Sequence, residues 1–436
     1  MTRETLLRGP VAFAIIAVLL VAVGMIQSWN VSLNILNLCL ISAIMALGVN
    51  IQWGYAGLFN VGVMGFAALG GLAAVLISMP SVPEAVEVGG YGVLIGLLCG
   101  AMTIVLAVTL YKALPKGWIR TAGVAAAIII GYWVTRDVFV PATQAIEKVE
   151  PAKSGYLGGL GLPILLAWPV GGLFAGLAAW VVGKITLGLR SDYLAIATLG
   201  ISEIIVAILK HEDWMSRGVK NVNGIPRPVP YEFDLQQSQS FLDFAARLGA
   251  DPVTLSSITV KLSYACLFAA VLLIVLWLSE RALKSPWGRM MRAIRDNEVS
   301  ANAMGKDVTA RHLQVFVLGS IVVGIAGAML ATLDGQLTPT SYQPLRFTFL
   351  IWVMVIVGGS GNNWGAVLGG FVIWFFWIEA EPIGLWLMDL MTSGMSDDNW
   401  LRGHLLESAP HMRLITMGAI LLIVLRFSPR GIIPER

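Results

Sequence analysis

Long apolar runs, separated by short polar segments, cover most of this chain. A helix needs about 20 apolar residues to cross the roughly 30 Å hydrocarbon core of a bilayer. The pattern predicts helical candidate spans over residues 11–27, 35–50, 55–79, 91–110, 118–134, 163–184, 192–210, 258–279, 312–333, 347–358, 363–380 and 411–426.

Three of these stretches are short or rich in glycine, namely 35–50, 347–358 and 363–380. We expect some to be re-entrant or broken helices, which a bilayer tolerates only when protein shields their backbone. The pattern therefore predicts ten to twelve spans. The first stretch, 11–27, follows basic residues as the apolar region of a signal peptide would. Because no persuasive A-x-A cleavage site follows it, we interpret it as an uncleaved span.

Composition supports an integral membrane protein. Of the 436 residues, 57% are hydrophobic and only 13% are charged, whereas an ordinary soluble domain has about 25% charged residues. Too little polar surface remains to cover a water-soluble globule, so we predict an all-α, polytopic transmembrane helix bundle, with residues 1–436 as one membrane domain. The net charge of +3 argues against a nucleic-acid partner. The three cysteines have no metal or disulfide spacing, and no metal site or cofactor is predicted.

The distribution of charge predicts an orientation. If all the candidate stretches cross the membrane and the amino terminus is cytoplasmic, the inner segments contain more than half of the 29 Lys and Arg residues. This agrees with the positive-inside rule and places both termini in the cytoplasm. Residues 211–257 are then a periplasmic loop, expected to have some structure of its own. Residues 379–410, which include Asp397 and Asp398, suit an outer loop.

The segment 281–311 is the most informative part of the chain, with seven basic residues between two candidate spans. Apolar residues at helical intervals follow Ser285-Pro286-Trp287-Gly288, and Glu298, Ala301 and Gly305 form the pattern E-x-x-A-x-x-x-G. From the residues alone, the segment is either a short helix that docks into a partner or a basic helix lying on anionic lipid headgroups.

The same segment resembles the cytoplasmic loop, with a degenerate "EAA" motif, of membrane subunits of bacterial ABC importers. It is most similar to LivM-type permeases of branched-chain amino acid importers, which have S-P-x-G-R-x-x-x-A-I-R followed by E-x-x-A-x-x-x-G. The matching positions are Ser285, Pro286, Gly288, Arg289, Ala293, Ile294, Arg295, Glu298, Ala301 and Gly305.

Four further stretches resemble this family in the same order along the chain. They are Gly54–Leu58 with Gly62 and Phe66, Arg190–Gly200 with Glu203 and Ile204, Gly358–Gly361 with Trp364, Gly365 and Gly369, and Leu425–Gly431. The chain departs from the family at Leu69-Gly70-Gly71, where G-A-Y is common. The stretches 135–162 and 385–410 are longer than usual.

The resemblance implies a permease domain in the bacterial inner membrane, in which residues 285–305 form the cytoplasmic coupling helix. The residues it assigns to ATPase coupling are Arg292, Arg295, Glu298, Ala301 and Gly305. The implied substrates are branched-chain or other hydrophobic amino acids, with urea or short-chain amides as the alternative. The implied partners are ABC ATPase subunits, a second homologous permease and a periplasmic substrate-binding protein, in addition to membrane lipid. The chain has no G-x-x-x-x-G-K-[ST] loop, so ATP hydrolysis is expected on a separate subunit.

Three polar side chains and one glycine are the candidates for the translocation path or for contacts inside the bundle: Asn50, Asn60, Glu203 and Gly57. For the glycine and the asparagines, helix packing is the simpler interpretation. We predict that Glu203 is buried and paired, because an ionisable group in hydrocarbon is expensive.

Two other function classes are open to this sequence. The string Gly358-Gly359-Ser360-Gly361 resembles that of an intramembrane serine protease, but a serine nucleophile needs a base within hydrogen-bond reach. The histidines fall in loops or at span ends, so we interpret the string as a glycine-rich turn and predict no catalytic residue. A secondary transporter would need charged residues inside the bundle to bind its coupling ion, and Glu203 is the clearest intramembrane acid.

Overall fold

The computed structural model describes residues 3–151, 154–395 and 399–435, so the predicted outer-loop acids Asp397 and Asp398 lie outside the described residues. The α-helices are α1 (Arg3–Ile26), α2 (Trp29–Ala56), α3 (Val63–Ser78), α4 (Pro83–Ala85), α5 (Tyr91–Ala113), α6 (Trp118–Glu147), α7 (Ile164–Thr186), α8 (Ser191–His211), α9 (Asp213–Ser216), α10 (Glu232–Gln237), α11 (Gln239–Leu248), α12 (Pro252–Lys284), α13 (Pro286–Asp296), α14 (Glu298–Ala303), α15 (Val308–Asp334), α16 (Pro344–Gly358), α17 (Asn363–Thr392), α18 (Trp400–Glu407) and α19 (Met412–Phe427).

Short elements join these helices. A π-helical turn, Val86–Gly90, leads into α5, and 3-10 turns cover Gly218–Lys220, Pro339–Ser341 and Ala409–His411. The strands β1 (Val222–Asn223) and β2 (Gln336–Leu337) pair antiparallel, with Val222 opposite Leu337. The prediction of an all-α polytopic bundle is confirmed.

The number of spans agrees with the prediction of ten to twelve. Ten helical stretches among the described residues are long and apolar enough to cross a membrane, and two shorter apolar helices, α3 and α16, accompany them. These two have 16 and 15 residues, which at about 1.5 Å per residue gives about 24 and 22 Å. Both are too short to span a bilayer alone.

Of the three short or glycine-rich stretches, 347–358 lies in the short helix α16, whereas 35–50 and 363–380 lie in long helices. The last two stretches lie in α2 and α17, which have 28 and 30 residues. Asn50 and Gln52 interrupt the apolar run of α2, so that hydropathy alone ends the helix too early. Inside the bundle both side chains are buried and hydrogen-bonded, and the helix continues to Ala56.

Helix α2 lies at the centre of the bundle, packed against α1, α12, α15, α16 and α17. Small residues let these helices approach closely. A Cβ atom on Gly48 would lie 2.8 Å from the carbonyl oxygen of Gly319 in α15, and one on Gly370 in α17 would lie 2.7 Å from the Cα atom of Ala43. The core is therefore built on close backbone contacts around α2.

The bundle has two distinct ends. At the terminal end, which we define by Gly9, Gly361 and Ile433, the carboxyl-terminal tail runs beside the end of α16. The amide of Ile433 donates to the carbonyl oxygen of Gly358 at 2.9 Å. At the distal end, which we define by β1, β2 and the Ser81–Gly158 bridge, the connecting segments pack together. Residues 211–257 contribute α9, β1, α10 and α11 there, which confirms that this segment has structure of its own.

The segment 285–305 is helical but is not one helix. It divides at Asn297, whose extended backbone ends α13 and whose side chain caps α14 by accepting a hydrogen bond from the amide of Ser300 at 2.9 Å. The prediction of a single helix over 285–305 is therefore wrong. Asn competes for local backbone hydrogen bonds more effectively than it continues a helix, so it favours the cap position.

Candidate functional site

The chain is unwound between α2 and α3, inside the bundle. Gly57 ends α2 with φ of +69°, a left-handed conformation that favours glycine. Polar side chains bind the unwound backbone: the amide of Val61 donates to Thr198 Oγ1 at 3.1 Å, and the amide of Gly62 donates to Asn60 Oδ1 at 2.8 Å. Such an interruption is tolerated at membrane depth because protein groups satisfy the backbone.

Asn60 and Gln52 tie this break to neighbouring helices. Asn60 Nδ2 donates to Gln52 Oε1 at 2.9 Å, and Gln52 Nε2 donates to the carbonyl oxygen of Phe316 at 2.8 Å and to Ser320 Oγ at 3.1 Å. The indole of Trp352 in α16 donates to the carbonyl oxygen of Asn60 at 2.9 Å. Asn60 was predicted to make polar contacts, but sequence reasoning missed its partners Gln52 and Trp352.

Three aromatic rings pack beside the break. The ring centroids of Trp53 and Phe59 lie 5.6 Å apart, and both lie close to the ring of Trp352, at 5.0 and 4.6 Å. These edge-to-face and tilted contacts are favourable for aromatic quadrupoles. Trp53, Phe59 and Trp352 thus form an aromatic cluster.

A cavity of about 280 Å³, which we call the distal cavity, lies among α2, α3, α15, α16 and α17. Its apolar wall includes Leu38, Ile41, Phe347 and Ile351, and methionines 45, 64 and 354 also line it. Its polar lining includes Asp334, the last residue of α15, and the Asp334 side chain is exposed. Binding sites for small molecules have this combination of apolar walls and a few polar groups.

A buried polar cluster closes the terminal end of α2. Asn50 Nδ2 donates to Asn363 Oδ1 at 3.1 Å, while Asn50 Oδ1 accepts from the amide of Gly361 at 2.9 Å. Tyr55 also donates to Asn363 Oδ1, and Asn363 Nδ2 donates to Glu280 Oε1 at 3.0 Å. Asn50 thus joins α2 to the glycine-rich turn before α17.

Arg295 of α13 joins the same region from outside. Its guanidinium donates to the carbonyl oxygen of Gly54 near the end of α2 and lies 3.0 Å from the carboxylate of Glu435. Desolvation acts to lower the pKa of Arg295, but its hydrogen bond with Glu435 and the charge of that carboxylate raise the pKa above its ordinary value. Because a carboxylate partner holds it as a cation, Arg295 is a fixed link between α13, α2 and the carboxyl-terminal tail.

The predicted coupling residues therefore divide into two groups. Arg292 lines a cleft of about 740 Å³ at the terminal end, together with Glu280, Asn362 and Glu435. Arg292 and Arg295 form the first group, which faces the bundle. Glu298, Ala301 and Gly305 form the second group. Glu298 and Gly305 are exposed, and Ala301 is partly buried against the core.

The E-x-x-A-x-x-x-G pattern builds the end of α14. The amide of Lys306 donates to the carbonyl oxygen of Ala301 at 3.2 Å, and the amide of Gly305 donates to that of Asn302 at 2.9 Å. With Gly305 at φ of +74°, this is a Schellman motif. Within the described part of the chain Glu298 forms no ion pair. Two apolar side chains here, Val299 and Met304, are 80% and 81% exposed, and sequence reasoning missed Val299.

Glu203 lies on the outward face of α8, and the prediction that it is buried and paired is wrong. Its side chain is exposed, and no described residue bonds to it, whereas Ser202 beside it is buried against Gly65. The buried face of α8 includes the small polar residues Thr198 and Ser202, whereas Ile196 and Ile204 are exposed, so hydropathy did not indicate which face turns inward.

Ser360 lies in a turn between Gly359 and Gly361, which have φ of +119° and +80°. Such angles require glycine, in agreement with the interpretation of this string as a turn. In the described ranges no hydrogen bond joins Ser360 to a histidine. The protease interpretation gains no support from the geometry.

The fold and the site together define a class: a multi-pass membrane protein with a central interrupted helix, an internal cavity and an ordered helical loop at one end. Residues 31–425 match the family model described as branched-chain amino acid transport system / permease component. The chain belongs to that family. Its LivM-type character is supported by relatives of low identity.

One relative is the probable branched-chain amino acid transport permease protein LivM of Methanocaldococcus jannaschii, 28% identical over 157 residues, which are 36% of this chain and 42% of the relative. Another is the high-affinity branched-chain amino acid transport system permease protein LivM of Escherichia coli, 23% identical over 281 residues, or 63% of this chain and 62% of the relative. The fructose import permease protein FrcC of Rhizobium meliloti is 23% identical over 151 residues, 32% of this chain and 41% of the relative. No solved structure gives a significant match.

Proposed function

We propose that this chain is the permease subunit of an ATP-driven ABC importer for branched-chain or other hydrophobic amino acids. Family membership supports the transport role, and the apolar wall of the distal cavity suits a hydrophobic side chain. We place the protein in a bacterial inner membrane. The terminal end would face the cytoplasm, because the basic segment 281–311 lies there.

The single observation that carries this proposal is the contact between Arg295 and α2. Arg295 bonds to the carbonyl oxygen of Gly54, while α2 also contributes Leu38 and Ile41 to the distal cavity. A movement of α13 would therefore act directly on a helix that lines the cavity. Met291 and Ile294, both buried, hold α13 against the bundle and would prevent it from moving alone.

The ATPase subunits would contact α14 and the exposed side of the segment 285–305. Val299 and Met304 offer apolar side chains, and Glu298 offers an unpaired carboxylate for a basic group of the ATPase. In this arrangement Glu298, Ala301 and Gly305 shape the docking helix, whereas Arg292 and Arg295 transmit its movement. Ala301 and Gly305 act through the helix end that they build.

A second, homologous permease would cover α8. Glu203 is the thirteenth of 21 residues in this apolar helix and would lie near the middle of the bilayer. An exposed carboxylate at that depth is costly in lipid, which favours coverage by another protein chain. A periplasmic substrate-binding protein would deliver the amino acid to the distal end.

Reconstitution tests the proposal. The full chain would be purified with the second permease and the ATPases encoded beside it, placed in liposomes with internal ATP and supplied with the binding protein and labelled leucine. We expect leucine uptake that requires ATP and persists after ion gradients are removed. Uptake that follows an ion gradient without ATP would contradict the proposal. Uptake of urea or acetamide in place of leucine would retain the permease and replace its substrate class.

A further inference from the structure

We propose that the distal cavity holds an intermediate binding site for the zwitterionic end of the amino acid, with Asp334 binding the ammonium group and Trp374 and Thr338 binding the carboxylate. This inference rests on the proposed function. It assigns to the permease itself a recognition step that is separate from selection by a binding protein.

Asp334 is placed unfavourably for its own helix. It is the last residue of α15, where the helix dipole is negative and an acidic side chain is disfavoured. In the described part of the chain, no Lys, Arg or His forms an ion pair with it, and no donor bonds to it. Its side chain is exposed and lines the cavity. A cationic ligand in the cavity would give this exposed carboxylate a charged partner.

Two further polar groups of the same cavity have no hydrogen-bond partner within the described ranges. They are the indole N–H of Trp374, which can only donate, and the hydroxyl of Thr338. Buried polar groups are nearly always hydrogen-bonded, and exceptions call for an explanation. A carboxylate accepts from both groups and would give each the bond it lacks.

The chemistry of the lining separates amino acids from neutral amides. A carboxylate, two donors and an aliphatic wall that includes Leu38 and Ile41 match an ammonium, a carboxylate and an aliphatic side chain, respectively. Urea has no charge for Asp334 and no apolar part for the wall. The cavity volume of about 280 Å³ is near the lower limit of ordinary ligand pockets, about 300 Å³. A cavity of this size suits a substrate as small as a single amino acid.

Protection of one accessible cysteine from chemical labelling tests the site directly. Ser341 is exposed and lines the cavity, so Ser341→Cys can be introduced after Cys99 and Cys266 are changed to Ser, with buried Cys39 retained. The neutral reagent methyl methanethiosulfonate would label the assembled importer in the absence of ATP and binding protein. Competitors would be leucine, 4-methylpentanoate, which lacks the ammonium, 3-methylbutylamine, which lacks the carboxylate, and urea.

We expect leucine to protect the introduced cysteine from labelling at the lowest concentration of the four competitors, and urea to give no protection. Asp334→Asn should raise the leucine concentration needed by roughly tenfold or more, as expected for loss of a charged hydrogen bond, while leaving 4-methylpentanoate unchanged. Trp374→Phe should weaken protection by leucine and by 4-methylpentanoate, but not by 3-methylbutylamine. Unchanged protection by the unaffected analogue shows in each case that the cavity is still folded.

Matched controls are Asp389→Asn and Trp386→Phe, which change the same residue types on α17 outside the cavity and should leave all protection unchanged. Equal protection by leucine in the parent and in Asp334→Asn would overturn the proposed site. So would leucine that protects no better than 4-methylpentanoate. If the parent complex takes up leucine with ATP while either result holds, only the site is wrong. If the parent takes up no leucine, the proposed function fails first.

Discussion

Helix α2 and the hairpin formed by α5 and α6 are both strongly apolar, yet they occupy opposite environments. In the most apolar 18-residue window of α2, 72% of the residues are buried, whereas in α6 none are. The hairpin helices pack chiefly on each other, through close contacts such as Gly96 against Phe139. The comparison shows that hydropathy detects a membrane span but not whether protein or lipid surrounds it.

The hydrogen-bond partners of the polar side chains distinguish α2 from the hairpin more clearly than hydropathy does. In α2, the buried side chains of Asn37, Asn50 and Gln52 bond to other helices. In the hairpin, the hydroxyls of Thr103 and Thr109 bond to carbonyl oxygens of their own helix. Polar groups of α2 therefore hold the bundle together, whereas those of α5 are satisfied locally. The hairpin also supplies a control position for each of four predicted substitution effects.

The largest difference is expected for added volume. Gly48→Leu in α2 would force side-chain atoms against Val323 and the carbonyl oxygen of Gly319, at 2.7 and 2.8 Å from the new Cβ atom. Overpacking against backbone should lower the free energy of unfolding by about 3 kcal/mol. Gly100→Leu in α5 has its nearest neighbour at 3.7 Å and should change stability little. Thermal unfolding of the two detergent-solubilised variants measures the contrast, and equal loss would contradict it.

Asn50→Ala should have the next largest effect. It leaves the amide of Gly361 without its acceptor and removes one donor from Asn363, which should destabilise the terminal end by about 1–3 kcal/mol. Thr109→Ala in the hairpin removes an exposed local bond and should cost less than about 0.5 kcal/mol. Proteolysis of the turn between α16 and α17, followed over time, reports the local loosening. A variant of Asn50 that resists cleavage like the parent would show that the turn does not need this side chain.

Gly305→Val should act locally on the proposed docking helix. The position has open space, but its φ of +74° is a conformation that costs a non-glycine residue about 1–2 kcal/mol. We expect α14 to lose its Schellman end and co-purification of the ATPases to fall severalfold while membrane insertion is normal. Gly117→Val, in the turn of the hairpin, is the control, since that position is open and its φ of 162° is extended. Normal co-purification and transport by Gly305→Val, and also by Glu298→Ala, would exclude this role for α14.

The smallest effect on stability is expected for the link between Arg295 and Glu435, about 1 kcal/mol for a partly buried pair. Its effect should instead appear in the ratio of leucine transported to ATP hydrolysed, which should fall in Arg295→Gln and in Glu435→Gln. The double variant should be no worse than Arg295→Gln, because both changes remove the same contact. Arg120→Gln, which loses a cation–π contact with Tyr111 in the hairpin, should leave the ratio unchanged. Strictly additive losses would show that the two residues act separately.

The sequence predicted the membrane architecture well because a bilayer imposes length and apolarity on each span independently of its neighbours. The candidates in α5 and α6 needed only that local rule, and both are helical as predicted. The motif at Gly305 was equally local, since the Schellman bonds join residues within one turn. Such features depend on a few neighbouring residues and can be deduced from the amino-acid sequence.

Features that depend on contacts between distant segments were predicted poorly. The sequence offered Asn50 for polar contacts inside the bundle but could not name the partners of the α2 side chains, such as Phe316 and Asn363, which are more than 260 positions away. The motif included Arg295 but gave no sign of its contacts with Gly54 and Glu435, which are distant in the sequence. Glu203 was predicted to be buried because charge in hydrocarbon is costly, yet the fold turns it outward.

The sequence by itself determined that this chain is a bundle of membrane helices of the branched-chain amino acid permease family, because span length, apolar composition and short motifs are local properties. Only the tertiary structure decided which helix is central, where the bundle opens into a cavity and which polar groups meet at the end of α2. Those outcomes depend on helix rotation and close packing. Nearly uniform apolar faces leave rotation undefined in the sequence, and small residues and long-range hydrogen bonds fix it only when the helices pack together.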